Sequence, residues 1–304
     1  MKMWHFLDLY AMNVKRRTMW INTLLLNLAI VVTSSAGDEV SVCSKMKTCA
    51  LLDIAVDLIT KAKKSYIEDE NIIKLAEKPI DCYDLRIKGH NASGVYTIWP
   101  RCRLSSCRSL EVYCDMETDG GGWTVIQRRG VGFSSADSFY RDWKEYKTGF
   151  GNVHNDYWLG NENIFSLSNE GLYSVRFDIT DKDGKSRFAL YEIFAIDDEN
   201  KNYRIHIKGY SGNAGNGMKN NDGRAFSTKD RKTDESFSEH CSVTRKSAWW
   251  YNGCTDVNLN GLYMPGVDDR KSMYWYDWQS YVGMKYSSIK IRPKNLKNFI
   301  SNAV

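Results

Sequence analysis

The 304-residue sequence lacks the patterns that define several classes of metalloprotein and enzyme. It has no Cys-x-x-Cys pair, Cys102 and Cys107 are loosely spaced, and no histidine stands at ligand spacing, so we expect no zinc site. It also lacks the Gly-x-Ser-x-Gly motif of serine hydrolases, and none of its histidines lies in a nucleophile motif. We therefore expect no catalytic residues and a chain that is not an enzyme.

A long uninterrupted hydrophobic run is absent too. Residues 1–36 have the pattern of a secretory signal peptide, because basic residues at 15–17 precede an apolar stretch and small residues at 33–36 suit cleavage. The apolar stretch contains two asparagines and is short for a membrane span. A signal anchor is the alternative interpretation, and Met12 is an alternative start. We expect a secreted, extracellular chain with no membrane span.

The sequence has no strong excess of charge of either sign. Residues 1–36 hold four of the 42 basic and one of the 37 acidic residues, so the remaining chain has 38 and 36, a net charge of +2. This balance gives no support for a nucleic-acid partner. All eight cysteines lie in the remaining chain, and an even number in a secreted protein predicts disulfides.

Residues 37–78 differ in character from the sequence that follows them. Apolar residues recur at helical spacing between Leu51 and Ala62, and Pro79 ends the predicted helix. A short coiled coil that gathers subunits into a homo-oligomer is one interpretation. A helix packed on its own domain is the other, because few heptads are present and Lys61 falls on the expected seam.

Residues 79–296 are rich in short β-type segments and loops, and residues 297–304 form a tail. A hairpin turn is predicted at Asp183-Gly184, and short helices are predicted near Trp143 and Ile164. The long stretch 209–238, rich in glycine and polar residues, is predicted to be a functional loop. Alternating or β-branched residues predict strands at 112–114, 123–126, 173–177, 187–191 and 203–207.

Several motifs stand in a fixed order along residues 79–296. They include Asp-Cys-Tyr-Asp-Leu at 81–85, Tyr-Cys-Asp-Met at 113–116, Asp-Gly-Gly-Gly-Trp-Thr-Val-Ile-Gln-Arg-Arg at 119–129 and Lys-Ile-Arg-Pro at 290–293. The three glycines suit a positive φ or close packing between strands; a phosphate loop is disfavoured, because the Gly-Lys-Ser/Thr ending is missing. With these motifs the region resembles the fibrinogen C-terminal domain family, in particular its invertebrate tachylectin- and ficolin-like lectins.

The resemblance implies an α+β fold with an antiparallel sheet, short helices and long ligand-binding loops, preceded here by the N-terminal helix. It also implies the disulfides Cys82–Cys114 and Cys241–Cys254, the second closing the loop that carries the binding apparatus in the family. The Asn-Ala-Ser sequon predicts an N-glycan at Asn91. The remaining cysteines are left unassigned, with the first two as candidates for bonds between subunits: Cys43, Cys49, Cys102 and Cys107.

Calcium is the one cofactor that the resemblance implies. Relatives carry Asp-x-Asp-x-Asp just before the first cysteine of that loop; here Asp230 and Asp234 keep the outer positions, but Lys232 replaces the middle acid. Lys232 offers no oxygen and repels a cation. Calcium with Glu235 as a substitute ligand, the Lys232 ammonium in the ion's place beside Asp234, and a solvated charged loop remain three alternatives. The candidate ligands are Asp230, Asp234, Glu235, Ser236 and Ser238.

The resemblance also places a ligand pocket beside the second cysteine of the loop. In lectin-type relatives an acetyl group lies there, after a cis peptide bond that corresponds to Gly253–Cys254. Thr255 stands where a histidine is common, Arg245 stands where an aromatic is common, and Tyr281 alone resembles the aromatic wall. We predict a polar, partly basic recess for a carboxylate, sulfate or phosphate, the alternative being solvated surface cations. Its candidate residues are Arg245, Gly253, Cys254, Thr255, Arg270, Lys271 and Tyr281.

Two functions follow from the resemblance. The first is a secreted pattern-recognition lectin of innate immunity that binds a glycan, or an acidic or acetylated ligand, on cell surfaces. The second is a protein-interaction module, as in fibrinogen, where the pocket captures a peptide terminus. Because the pocket residues differ from those of lectin-type relatives, both functions remain alternatives.

Overall fold

A computed structural model describes residues 54–61, 78–100, 109–132, 135 and 139–294 of the chain. Residues 54–61 form helix α1 and belong to a unit separate from residues 75–304. The apolar side chains of Ile54, Val56 and Leu58 on this helix are exposed. Among the described helices, none is both long and apolar enough to cross a membrane.

Some predictions fall outside the described residues. These are the signal peptide at 1–36, the tail at 297–304, most of the segment 37–78 and its proposed coiled coil, and the cysteines at 43, 49, 102 and 107. They therefore stay predictions.

An antiparallel sheet forms the body of residues 75–304. In the described part of the chain it has the main strand order β1-β2-β3-β9-β6-β7-β8, and β5 pairs with both β3 and β4. The strands are β1 Gly94–Ile98, β2 Leu110–Asp115, β3 Trp123–Arg129, β4 Phe150–Gly151, β5 Tyr157–Trp158, β6 Tyr173–Thr180, β7 Ser186–Ile196, β8 Ile205–Gly212 and β9 Tyr286–Pro293.

The last strand in the described part of the chain lies in the middle of the sheet. β9 pairs antiparallel with β3 on one side and with β6 on the other. Along β6, Tyr173, Val175, Phe177 and Ile179 are buried and alternate with half-buried residues, the pattern of a strand with one face on the core. The neighbouring strands β3 and β9 are buried on both faces along most of their length, so the centre of the sheet is covered on both sides.

The predicted strands agree with the structure except at one end. The segments 112–114, 123–126, 173–177 and 187–191 lie within β2, β3, β6 and β7, and the Asp183-Gly184 turn joins β6 to β7. The prediction for 203–207 was wrong at its start, because Tyr203 has a left-handed φ of 47° and β8 begins at Ile205. β8 continues to Gly212, so the long loop starts later than expected.

Short helices border the sheet: α2 Cys82–Ile87, α3 Trp143–Thr148, α4 Asn161–Ser168, α5 Cys241–Thr244 and α6 Tyr276–Gln279. The helices expected near Trp143 and Ile164 are therefore present. Asp142 caps the start of α3 in a capping box. Its carboxylate accepts a hydrogen bond from the Glu145 N–H, and the Glu145 carboxylate accepts one from the Asp142 N–H. Large aromatic side chains fill the core between these elements, among them Trp158, Phe226 and Trp250.

The Cys82–Cys114 disulfide joins α2 to β2, as expected. The glycines after β2 have the predicted positive φ, and a Cβ on Gly121 would lie 2.1 Å from the Met116 carbonyl oxygen. This close approach explains why glycine is needed there. Asn91, the predicted glycosylation site, is exposed between α2 and β1, where its side-chain oxygen accepts a hydrogen bond from Arg86.

Candidate ligand-binding site

The long connection from β8 to β9 carries all the candidate ligand residues. The Cys241–Cys254 disulfide closes one loop within it, as expected. Ser227 and Trp249 exchange two backbone hydrogen bonds of 2.9 and 3.2 Å, which join the preceding stretch to this loop. This pairing sets the position of the preceding stretch relative to the disulfide-closed loop.

The Lys232 ammonium group lies among the oxygens of the expected calcium loop. It donates to the Asp234 carboxylate at 3.0 Å, to the Asp234 carbonyl at 3.1 Å and to the Ser236 carbonyl at 2.7 Å. The Asp234 side chain is fully buried, and its second oxygen accepts from the Ser227 hydroxyl at 3.2 Å. A single cation from the chain thus gathers three oxygen acceptors.

The other candidate calcium ligands have different partners. The Asp230 carboxylate accepts from the Trp143 N–H at the start of α3 and from the Thr228 hydroxyl. The Glu235 side chain is exposed and pairs with Arg224, so it does not replace the missing acid. Ser238 is exposed and makes no hydrogen bond to any of the described residues.

These residues do not fit a calcium ion. Calcium takes about six to eight oxygen ligands. Here one carboxylate oxygen and two carbonyl oxygens of the loop accept hydrogen bonds from the Lys232 ammonium group instead. Asp234 is the only acid of the expected set beside Lys232. A divalent ion at this place would have to displace Lys232 and would still lack carboxylates.

The backbone at the second loop cysteine is unusual, but not in the expected way. No cis peptide bond is present in the described residues, so Gly253–Cys254 is trans, and the expected cis bond was wrong for this structure. Instead, Gly253 and Cys254 both have left-handed φ values, of 56° and 63°. Asn252 donates from its N–H to the Cys254 carbonyl at 2.6 Å and closes this turn.

Arg245 is half-buried beside the disulfide and has an acidic partner. Its guanidinium lies 3.5 Å from the Glu239 carboxylate, which also lies 2.9 Å from the Cys254 sulfur. Glu239, Cys241 and Cys254 form the one cluster of potential metal ligands found among the described residues. Because both sulfurs are in the disulfide, the cluster has no thiolate for a metal.

Tyr274 connects the candidate residues of the recess. Its hydroxyl donates to the Thr255 carbonyl at 2.9 Å, and its ring meets the Tyr281 ring edge-on at 5.1 Å. Burial raises the pKa of Tyr274 well above its usual value, and the positive charge of Arg245 partly opposes this. The phenol therefore stays neutral and keeps its hydrogen at physiological pH.

Arg270, Tyr276 and Tyr281 form an aromatic and basic cluster among the residues predicted to line the recess and their neighbours. The Arg270 guanidinium lies 5.0 Å from the centre of the Tyr281 ring, and the centre of the Tyr276 ring lies 4.9 Å from the centre of the same ring. Within the described chain, neither Arg270 nor Lys271 has a carboxylate within 4 Å of its side chain. These two cations are therefore outside any ion pair with the described residues, although Asp268 and Asp269 directly precede them in the chain.

A buried amide brings the two basic segments together. The Asn258 side-chain nitrogen lies 3.2 Å from the Arg245 carbonyl, 3.0 Å from the Ser272 carbonyl and 3.5 Å from the Lys271 carbonyl. Residues predicted to line one recess are thus held by one side chain. Sequence reasoning missed Glu239, Tyr274 and Asn258; only the aromatic run around Tyr274 gave a local signal.

The comparisons with known proteins agree with this architecture. A sequence profile described as the C-terminal globular domain of fibrinogen beta and gamma chains matches residues 78–294. The chain belongs to the fibrinogen C-terminal domain family. It is 41% identical over 280 residues to Techylectin-5A of Tachypleus tridentatus, which covers 89% of this chain and 94% of that protein. It is 40% identical over 257 residues to human angiopoietin-related protein 7, which covers 79% of this chain and 72% of that protein.

Solved structures of the fibrinogen family share the fold. The fibrinogen-like globe domain of human ANGPTL2 matches with a TM-score of 0.67 and 36% identity, covering 71% of this chain and 100% of that chain. Lamprey fibrin D-dimer, solved with the peptide ligand Gly-His-Arg-Pro-amide, matches with a TM-score of 0.65 and 24% identity, covering 91% and 94%. The second match supports the fold alone.

The matches confirm the expected family and the α+β fold with an antiparallel sheet and short helices. Members of this fibrinogen-like family are non-enzymatic lectins and interaction modules, so the expectation that the chain is not an enzyme is confirmed.

Proposed function

We propose that this chain is a secreted pattern-recognition lectin of innate immunity whose recess takes an anionic group of a cell-surface glycan. The observation that carries the proposal is the wall in which Arg270 lies over Tyr281, which packs on Tyr274 beside Arg245 and Thr255. Glu239 offsets the charge of Arg245, so Arg270 and Lys271 are the groups that meet the anion. Similarity to Techylectin-5A supports a lectin.

The aromatic and basic wall favours an acidic ligand over an acetyl group. Guanidinium groups bind carboxylate, sulfate and phosphate groups in two-pronged geometry, and an ammonium group adds a second charge. An apolar methyl gains little from either. Tyr281 supplies rigid surface against which the rest of a ligand packs, and the fully buried Tyr274 holds the Tyr281 ring in place.

The experiment is a glycan array that includes sulfated, sialylated and neutral N-acetylated glycans. The variant Arg270→Ala with Lys271→Ala should lose binding to acidic glycans by roughly tenfold or more, because charge-assisted hydrogen bonds are lost. Lys285→Ala, which removes an exposed lysine next to β9, is the matched control and should bind normally. Binding confined to neutral acetylated glycans would contradict the proposal.

A protein-interaction module is the second candidate function. The similarity to human angiopoietin-related protein 7, at 40% identity, is nearly that to Techylectin-5A, at 41%. Silence across the whole glycan array would favour this function. Crosslinking of the protein to extracellular extracts, with and without Arg270→Ala and Lys271→Ala, would then locate the partner's contact.

We also propose that the Lys232 ammonium group replaces the calcium ion of the family. Its three oxygen acceptors and the buried Asp234 carboxylate support this view. A loop held by its own lysine keeps its shape in chelator. Secretion, assembly into a homo-oligomer through residues 37–78 and an N-glycan at Asn91 belong to the same proposal.

A further inference from the structure

A pair of lysines flanks one surface tyrosine near the Cys241–Cys254 loop. The ammonium groups of Lys229 and Lys246 lie 4.9 Å and 4.8 Å from the centre of the Tyr140 ring. Lys229 also donates a hydrogen bond to the Tyr140 carbonyl at 3.0 Å. Because both groups approach the same ring, the two positive charges lie within about 10 Å of each other, where they still repel.

No carboxylate neutralises this pair in the described part of the chain. Neither Lys229 nor Lys246 has an acidic group within 4 Å. The acids nearest in sequence have other partners: the carboxylate of Asp230, which follows Lys229, accepts from the Trp143 N–H, and Asp142, two residues after Tyr140, caps α3. The tyrosine ring attracts each cation, but a ring quadrupole does not cancel a full charge.

The end of α5 determines the backbone conformation of Lys246. Lys246 follows α5 with a φ of 49°, in the left-handed region that favours glycine. This is the common way for a helix to end: the Ser247 N–H donates to the Ser242 carbonyl at 3.1 Å across the left-handed residue. Here the backbone accompanies a lysine side chain that lies against Tyr140.

We propose that Lys229, Lys246 and Tyr140 form a second anion site, which takes a sulfate group of a sulfated glycan. An ammonium group has three donors, and Lys229 uses one of them on the Tyr140 carbonyl. The remaining donors of the two lysines converge on a tetrahedral oxyanion, which removes their mutual repulsion. The site is separate from the recess, although Lys246 directly follows Arg245, so one extended glycan reaches both.

The probe is a heparin-derived hexasaccharide, titrated calorimetrically into the natural protein and its variants at low ionic strength. Lys229→Ala and Lys246→Asn should each weaken binding by roughly tenfold, because a charge-assisted hydrogen bond is lost. Asparagine is chosen at 246 because it tolerates the left-handed backbone. Lys144→Ala removes an exposed lysine on neighbouring α3 and should change affinity less than twofold. Unchanged melting temperatures establish that the variants are folded.

Several outcomes would overturn the site. Equal losses in all three lysine variants would indicate diffuse attraction to a positive surface. Equal affinity for the fully desulfated, N-acetylated hexasaccharide would show that sulfate is not recognised, and no binding by the natural protein would remove the site altogether. Loss only in Arg270→Ala with Lys271→Ala would assign the probe to the recess. Lysine-dependent binding alongside a silent recess would support this site while the proposed function fails.

Discussion

Replacing Lys232 with methionine removes one ammonium group while keeping a side chain of similar length. The change deprives the buried Asp234 carboxylate of its only ion pair and leaves the Asp234 and Ser236 carbonyls without that donor. The Asp234 carboxylate keeps weaker hydrogen bonds, from the Ser227 hydroxyl at 3.2 Å and the Ser236 N–H at 3.3 Å. The loop should therefore be destabilised but not abolished.

The magnitude follows from the burial of the two partners. Removing one partner of a fully buried ion pair costs about 3–5 kcal/mol of unfolding free energy. The Lys232 side chain is 40% exposed, whereas the Asp234 side chain is fully buried, so solvent screening reduces the expected cost to about 2 kcal/mol. For a domain of this size that loss lowers the melting temperature by roughly 5 °C.

The assay is thermal melting in chelator and in calcium. The natural protein should melt at the same temperature in both, and Lys232→Met should melt lower in both. Lys232→Asp should be destabilised in chelator but should recover in calcium, because restored carboxylates bind the ion only in the folded state. Calcium at a hundred times its dissociation constant would add about 2.7 kcal/mol of stability. Lys144→Met, on the exposed face of α3, is the control.

One result would refute this reasoning directly. If the natural protein gains several degrees from calcium and loses ligand binding in chelator, Lys232 leaves the loop when the ion binds. A Lys232→Met variant with the melting temperature of the natural protein would also contradict the reasoning, because the three hydrogen bonds would then contribute nothing measurable to stability.

Three further predictions concern acid stability, a disulfide and glycosylation. Burial alone would raise the pKa of Asp115, but its ion pair with a buried lysine lowers that pKa to about 2; the stabilisation is thus complete above about pH 4 and is lost as pH falls to about 2. The unfolding free energy should fall by about 2 kcal/mol across this pH interval. The Asp115→Asn variant should show a smaller fall. The Asp119→Asn variant, which changes an exposed carboxylate, should show the same fall as the natural protein. Replacing Cys241 and Cys254 with serine should lower the urea-derived unfolding free energy by about 3 kcal/mol, and non-reducing peptide mapping should recover the pair in the natural protein; a different pairing would contradict the domain assignment. Enzymatic deglycosylation should reduce the mass of the secreted protein, and Asn91→Gln should remove that change; an unchanged mass would refute the glycan in that host.

Much of the fold could be predicted because its signals are local. Each strand pattern, and the turn at Asp183-Gly184, is encoded within a few consecutive residues. The disulfide pairs were implied by the resemblance to the family. The start of β8 could not be predicted, since the apolar pattern continues through Tyr203, whose left-handed backbone depends on its surroundings. Tyrosine is common in strands, but the backbone of Tyr203 is not in a strand conformation.

The candidate site was less predictable because its contacts join distant segments. Asp230 looked like a calcium ligand, but its carboxylate is committed to the N–H of Trp143, 87 residues earlier in the chain. Lys232 could be singled out from the sequence because an absent oxygen ligand is visible there, and the structure places its ammonium group beside Asp234. That Glu239 neutralises Arg245 depends on how the disulfide folds the chain, which no local pattern encodes.

The central position of β9 has a consequence for synthesis on the ribosome. Among the described strands, β3 and β6 meet only through β9, which is the last of them in chain order. A nascent chain therefore holds two unfinished sheet edges, at β3 and β6, until residues 286–293 have left the exit tunnel. Unpaired edges invite association with other chains. A stop codon before β9 should thus yield an aggregating product rather than a shorter folded domain.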